Sequence, residues 1–121
     1  MRIGELAKRS GVSVRALRYY EEQRLLEAER SPSGQRLYPE SAVEKVAFFQ
    51  DMYAAGLSSR HIAELLPCID TGLTDEAQRR MLHAERHRIG DTVGRLQAAL
   101  RRLDDVIEIA ESRARTVPVA P

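Results

Sequence analysis

Apolar residues along this chain recur first at short helical spacings and then in one long, regular stripe. Ile3, Leu6 and Ala7 share a face and predict a helix over residues 3–9. Gly11 supplies a tight bend, and Ser13 stands where the next helix needs its N-terminal cap. That second helix is predicted over residues 14–23. Its Leu17 and Tyr20 point inward, while Arg15, Arg18, Tyr19 and Glu22 share the opposite face at i, i+3, i+4 and i+7. Two short amphipathic helices around a Gly-Val-Ser turn make a helix–turn–helix, with arginine and tyrosine on the outer face of its second helix.

Residues 27–38 carry a different pattern. Arg30-Ser31-Pro32-Ser33-Gly34-Gln35-Arg36 places turn formers between two extended ends, the second being Arg36-Leu37-Tyr38. The pattern predicts a small hairpin, the wing of a winged helix. Pro39 fits the first turn of a third helix, in which Val43, Val46, Ala47 and Phe49 form the apolar side up to Gly56. Ser58 or Ser59 can cap a fourth helix, whose Ile62, Leu65 and Leu66 face the core until Pro67 stops it.

From Thr74 the pattern lengthens. Thr74 is placed as a cap, and Asp75 and Glu76 suit the positive end of a helix dipole. Ile89, Val93, Leu96, Leu100, Leu103, Ile107 and Ala110 then follow one another in steps of 4, 3, 4, 3, 4 and 3. This is an a/d seam about three heptads long. A single helix cannot bury such a stripe on itself, and the chain has no second long helix to offer, so homodimerisation through an antiparallel coiled coil is expected. The expected fold is mostly α. A winged helix–turn–helix domain spans residues 1–70, a linker and coiled-coil dimerisation helix span 71–112, and a disordered tail spans 113–121.

Composition adds limits to this picture. In 121 residues there is room for one small domain and an extension. The formal net charge is only +1, so bulk charge does not mark a nucleic-acid binder, although residues 1–38 hold eight Lys/Arg against five Asp/Glu. The charged N-terminus lacks the apolar core of a secretory signal, and no apolar run approaches the length of a membrane span; a cytoplasmic protein without membrane partners is expected. Neither a phosphate loop, nor a nucleophile elbow, nor a pocketed acid pair is present in the sequence, so no enzyme and no cofactor are expected. His83 and His87 have i,i+4 spacing that could chelate a metal, but such a pair on a charged helix ordinarily faces solvent, and no metal is expected.

Several linked motifs resemble the MerR family of transcription regulators. They are Ile3-Gly4-Glu5-Leu6-Ala7, Gly11-Val12-Ser13, Ala16-Leu17-Arg18-Tyr19-Tyr20-Glu21, Leu25-Leu26, Gly34-Gln35-Arg36-Leu37-Tyr38 and Ala55-Gly56-Leu57-Ser58. The resemblance is dense from Met1 to about Leu66. It implies a homodimer on a pseudo-palindromic promoter, acting on RNA polymerase indirectly by bending and untwisting the DNA between promoter elements. It also implies a DNA-contacting set of Ser13, Arg15, Arg18, Tyr19, Tyr20, Arg36 and Tyr38. Arg18 and Tyr19 would grip phosphates, and Arg15 would read a base, since a guanidinium bonds guanine bidentately. Core packing is an equal alternative for Tyr20, and for Tyr38 a role sealing the wing is. Family members often carry basic residues near the end of the third helix, where this chain has Gln50 and Tyr53.

Cys68, the only cysteine, falls in the expected link between the domain and the long helix, where such regulators place effector sites. It is a candidate thiol sensor, with a small buried hydrophobe as the alternative. The small effector, if there is one, has no signature in the sequence. Rival readings are an excisionase-like DNA-architectural factor, which needs no dedicated dimer helix, and an adaptor whose coiled coil recruits another protein.

Overall fold

A computed structural model describes residues 1–116. Its elements run α1 (Ile3–Ser10), α2 (Val14–Glu22), β1 (Glu29–Arg30), β2 (Arg36–Leu37), α3 (Ser41–Ala54), α4 (Ser59–Asp70) and α5 (Glu76–Thr116). The chain divides into two units, Met1–Gln78 and Arg79–Pro121.

In the first unit, α1 packs on α2 and α3, and α3 packs on α4. Helix α1 ends at Gly11, whose φ of 74° lets its N–H turn back onto the Ala7 carbonyl at 3.0 Å. A left-handed residue closing a helix is the usual glycine role. Ser13 then caps α2, its hydroxyl accepting from the Ala16 N–H at 3.1 Å. The core beneath is Leu6, Val12, Leu17, Tyr20, Leu25, Leu26, Tyr38, Ala42, Val46, Phe49, Leu57, Ile62 and Leu65. Of the residues expected inside α3, Ala47 is exposed; Ala42 takes the inner position, one turn before Val46.

The wing is a two-stranded antiparallel hairpin in which Glu29 faces Leu37 and Arg30 faces Arg36. Gly34 adopts φ 85° in its turn, and the Ser31 hydroxyl accepts from the Gln35 N–H. The chain start is stitched to the wing as well. The Tyr38 N–H donates to the Met1 carbonyl, and the amino terminus donates to the Tyr38 carbonyl at 2.8 Å.

Expected boundaries move at α4 and at α5. Pro67 does not stop α4: the helix continues to Asp70 with Pro67 inside it. A proline costs its own N–H bond, but it leaves its carbonyl free, and both the N–H and the hydroxyl of Thr71 donate to the Pro67 carbonyl. An ion pair between Lys45 of α3 and Asp70 at 2.8 Å further ties down that last turn. Cys68 therefore lies on a helix, half-buried, and not in a linker.

The cap of α5 is also Asp75 and not Thr74. The Asp75 carboxylate accepts from the Gln78 N–H at 2.8 Å, and the Gln78 side chain accepts from the Asp75 N–H at 2.9 Å. This reciprocal capping box satisfies two donors at once, which a threonine cap alone does not.

Helix α5 is 41 residues long and has no buried residue. Val93, Leu96, Leu100, Leu103 and Ile107 of the seam are 46–65% exposed, and Val106 and Ile109 widen the apolar surface toward the helix end. The helix continues through residues 113–116, which the sequence placed in the tail; the remainder of that tail, residues 117–121, lies outside the described residues. No helix among the described residues is long and apolar enough to cross a membrane.

Candidate nucleic-acid interface

The periodicity of α2 separates its side chains cleanly. Leu17 and Tyr20 are buried, whereas Arg15, Arg18, Tyr19 and Glu22 are exposed. Tyr20 is held in the core by a stacked contact with Tyr53 (centroids 5.8 Å apart, planes 13° apart) and an edge contact with Phe49 at 5.6 Å. Its ring is thus a packing element, stacked on one aromatic, set edgewise to another and only 5% exposed. Ser13 spends its hydroxyl on the helix cap. Among the described residues Arg15 and Arg18 form no ion pair, so both guanidinium groups remain available on the outer face.

Tyr38 is likewise placed inside, 2% exposed. Its hydroxyl donates to one carboxylate oxygen of Glu21, and the other oxygen receives Arg36 at 2.7 Å. Burial first, and then the hydrogen bond and charge of Glu21, push the Tyr38 hydroxyl from 10.0 up to about 12. Glu21 is therefore the joint between α2 and the wing. It fixes Tyr38 beneath and Arg36 above with one carboxylate, at the cost of sharing the Arg36 charge. Arg36 is still half-exposed, its side chain 53% accessible. Arg30 bonds the Gly34 carbonyl, and Arg2 reaches across from the start of α1 to Gln35 of the wing at 2.8 Å.

Tyr19 is 45% exposed, and its hydroxyl lies 3.3 Å from the Ser59 hydroxyl, which also bonds the Tyr53 hydroxyl. Burial raises the Tyr53 hydroxyl above its ordinary value. Sequence reasoning assigned no contact to Glu21, Ser59 or Tyr53. Glu21 lies inside a family-like motif, Ser58 and Ser59 both fit a helix cap by sequence, and the cap role belongs to Ser58, which accepts from the His61 N–H.

Cationic and hydroxyl groups from α2, the wing and the start of α4 make up an outer surface suited to an anionic polymer. Guanidinium groups can bond phosphate oxygens or base edges, and exposed phenols can donate to phosphates. Elsewhere, His83 and His87 are exposed on α5, with His87 3.4 Å from Asp91. No group of three His, Cys, Asp or Glu residues among the described residues could hold a metal ion.

The order of elements, the capped helix–turn–helix and the hairpin against it define a winged helix–turn–helix domain. Residues 1–68 match the MerR HTH family regulatory protein model, and the chain belongs to that family. It is 37% identical over 83 residues to the mercuric resistance operon regulatory protein of Bacillus cereus, a match covering 68% of this chain and 61% of that protein. It is 44% identical over 66 residues to the transcriptional regulator ZntR of Escherichia coli K12, covering 54% of this chain and 47% of the relative. The chain thus spans about half to three fifths of the length of these curated relatives.

Among solved structures, a MerR family transcriptional regulator from Listeria monocytogenes matches with a TM-score of 0.80 and 30% identity, over 94% of this chain and 88% of that one. HiNmlR, a MerR family regulator lacking the sensor domain and bound to promoter DNA, shares the fold with a TM-score of 0.81 at 19% identity, over 95% and 93% of the two chains. These relatives are transcription regulators.

Proposed function

We propose that this chain regulates transcription as a homodimer on a pseudo-palindromic promoter. The observation that carries this reading is the outer face of α2, where Arg15, Arg18 and Tyr19 stand exposed on a capped helix braced against the wing by Glu21. In this reading Arg18 and Tyr19 hold phosphates, Arg15 reads a guanine edge, and Arg36 holds backbone further out. Tyr20 and Tyr38 support the surface from below. The promoter-bound relative of the same fold lends support to promoter DNA as the target.

The apolar stripe of α5 supports the dimer. Five seam residues from Val93 to Ile107 are about half exposed. A side chain of this kind gains about 1.5–3 kcal/mol when taken fully out of water, so covering the half that is still wet recovers about 1 kcal/mol each, from both chains. That total suits a partner helix of the same sequence, and the reading takes the pair as antiparallel. RNA polymerase is then served indirectly, by a protein that realigns promoter elements through DNA shape. The excisionase-like alternative leaves this stripe without a use.

Sedimentation of the chain with and without a duplex from its own upstream region tests the proposal. The expected result is a dimer alone and two chains per duplex. A monomer that binds one chain per duplex would refute it.

A further inference from the structure

Three hydroxyls from three different helices meet beside the outer face of α2. Tyr19 hangs from α2, Tyr53 from the last turn of α3, and Ser59 opens α4. Ser59 is the middle member, within hydrogen-bonding distance of both phenols. The set holds three protons, and two internal bonds consume two of them. One proton is left over, whichever way the bonds run.

The surroundings decide where that proton goes. Tyr53 is the less exposed of the two phenols, with its ring stacked on the buried Tyr20, whereas Tyr19 stands in solvent. Its proton is best spent on Ser59. In that arrangement the single Ser59 proton passes to the Tyr19 oxygen, and the Tyr19 O–H is left for solvent from a ring 45% exposed. A hydroxyl that already accepts a bond is polarised into a better donor. The group presented to solvent is thus a pre-aimed donor, suited to an oxygen that carries negative charge.

We propose that Ser59 and Tyr53 are positioning residues, which hold the Tyr19 hydroxyl as a donor to a DNA phosphate. The relay joins α3 and α4 to the recognition surface and supplies, through a neutral donor, part of what a basic side chain near the end of α3 would provide. It rests on the reading that the outer face of α2 binds DNA.

A double-mutant cycle tests it, using the full chain and a random-sequence duplex at low salt, with affinity read by fluorescence anisotropy. Tyr53→Phe keeps the ring and its stacking and removes only the hydroxyl. The expected loss is about 3-fold in the wild-type background and none in a Tyr19→Phe background, with Tyr19→Phe itself costing about 3- to 10-fold. Ser59→Ala should reproduce the Tyr53→Phe loss, and Ser59→Thr should restore binding, which a purely structural role for the position would not require.

A Tyr53→Phe loss of the same size in both backgrounds would overturn the relay, as would no loss at all. Arg18→Ala separates the two layers of the argument. If it weakens binding while the hydroxyl variants do not, the relay falls and the DNA reading stands. If neither Arg18→Ala nor Tyr19→Phe changes affinity, the DNA reading of α2 falls as well.

Discussion

Removing one hydroxyl, in Tyr38→Phe, tests whether the wing is locked to the recognition helix as the structure has it. The phenol is 2% exposed and donates to Glu21, whose carboxylate also holds Arg36. A hydrogen bond to a charged acceptor contributes about 1.5–3 kcal/mol. Because Glu21 keeps Arg36 in the variant, a loss of about 2 kcal/mol at neutral pH is expected.

Alkaline pH probes the same hydroxyl in a second way, through its burial first and its bond to Glu21 after that. The Tyr38 hydroxyl titrates at about 12 in the folded chain against 10.0 when unperturbed. Between those values the unfolded chain has given up a proton that the folded chain still holds. Stability from the neutral phenol is therefore complete below pH 10 and is lost as pH rises through 12. Two pH units correspond to a ceiling of about 2.7 kcal/mol. Urea unfolding followed by circular dichroism, from neutral to strongly alkaline pH, should show the gap between wild type and Tyr38→Phe constant at first and then closing across this window. Tyrosines common to both proteins cancel in the difference. A gap that stays constant throughout, or no gap at neutral pH, would refute the placement of Tyr38 against Glu21.

Other substitutions report on other parts of the account. Arg15→Ala should cost about 1–3 kcal/mol on a specific site and relax sequence preference, as read by competition between duplexes. Arg18→Ala should weaken binding to all sequences alike and lower the slope of log affinity against log salt by about 1. Leu100→Asp puts a charge into the α5 seam, where an unpaired buried charge costs about 3–5 kcal/mol; sedimentation should show monomers. Gly11→Ala meets no neighbour, since nothing lies within 4 Å of the added Cβ, yet it forces an alanine to φ 74°. A stability loss of about 1–2 kcal/mol is expected from urea unfolding.

Much of this molecule can be read from local chemistry. The bend at Gly11, the cap at Ser13 and the division of α2 into Leu17–Tyr20 and Arg15–Arg18–Tyr19 faces depend on residues within a turn of one another, and the structure has them as the sequence implies. The apolar stripe of α5 is similarly a matter of spacing, and the structure leaves it exposed along the helix. Failures cluster where distant residues meet. Tyr38 and Glu21 are 17 positions apart, and Tyr19 and Ser59 are 40 apart. Sealing of the wing by Tyr38 is one of the two roles its position allows, but no periodicity announces that Glu21 receives it, or that a serine beside a cap bonds a phenol on another helix. Pro67 misled for a related reason: its local propensity to end a helix is opposed by Thr71 and by the Lys45–Asp70 ion pair with α3. The capping box at Asp75 was legible in principle, since Asp75 and Gln78 have the required spacing.

A hydroxyl-radical footprint on the DNA upstream of the chain's own gene tests the central claim most directly, comparing wild type with an Arg15→Ala/Arg18→Ala double variant. The expected result is two symmetrically protected segments, separated by a whole number of helical turns of about 10 base pairs each, present with wild type and absent with the variant. A single asymmetric protected segment, or protection unchanged in the variant, would contradict a homodimer that grips DNA through the outer face of α2.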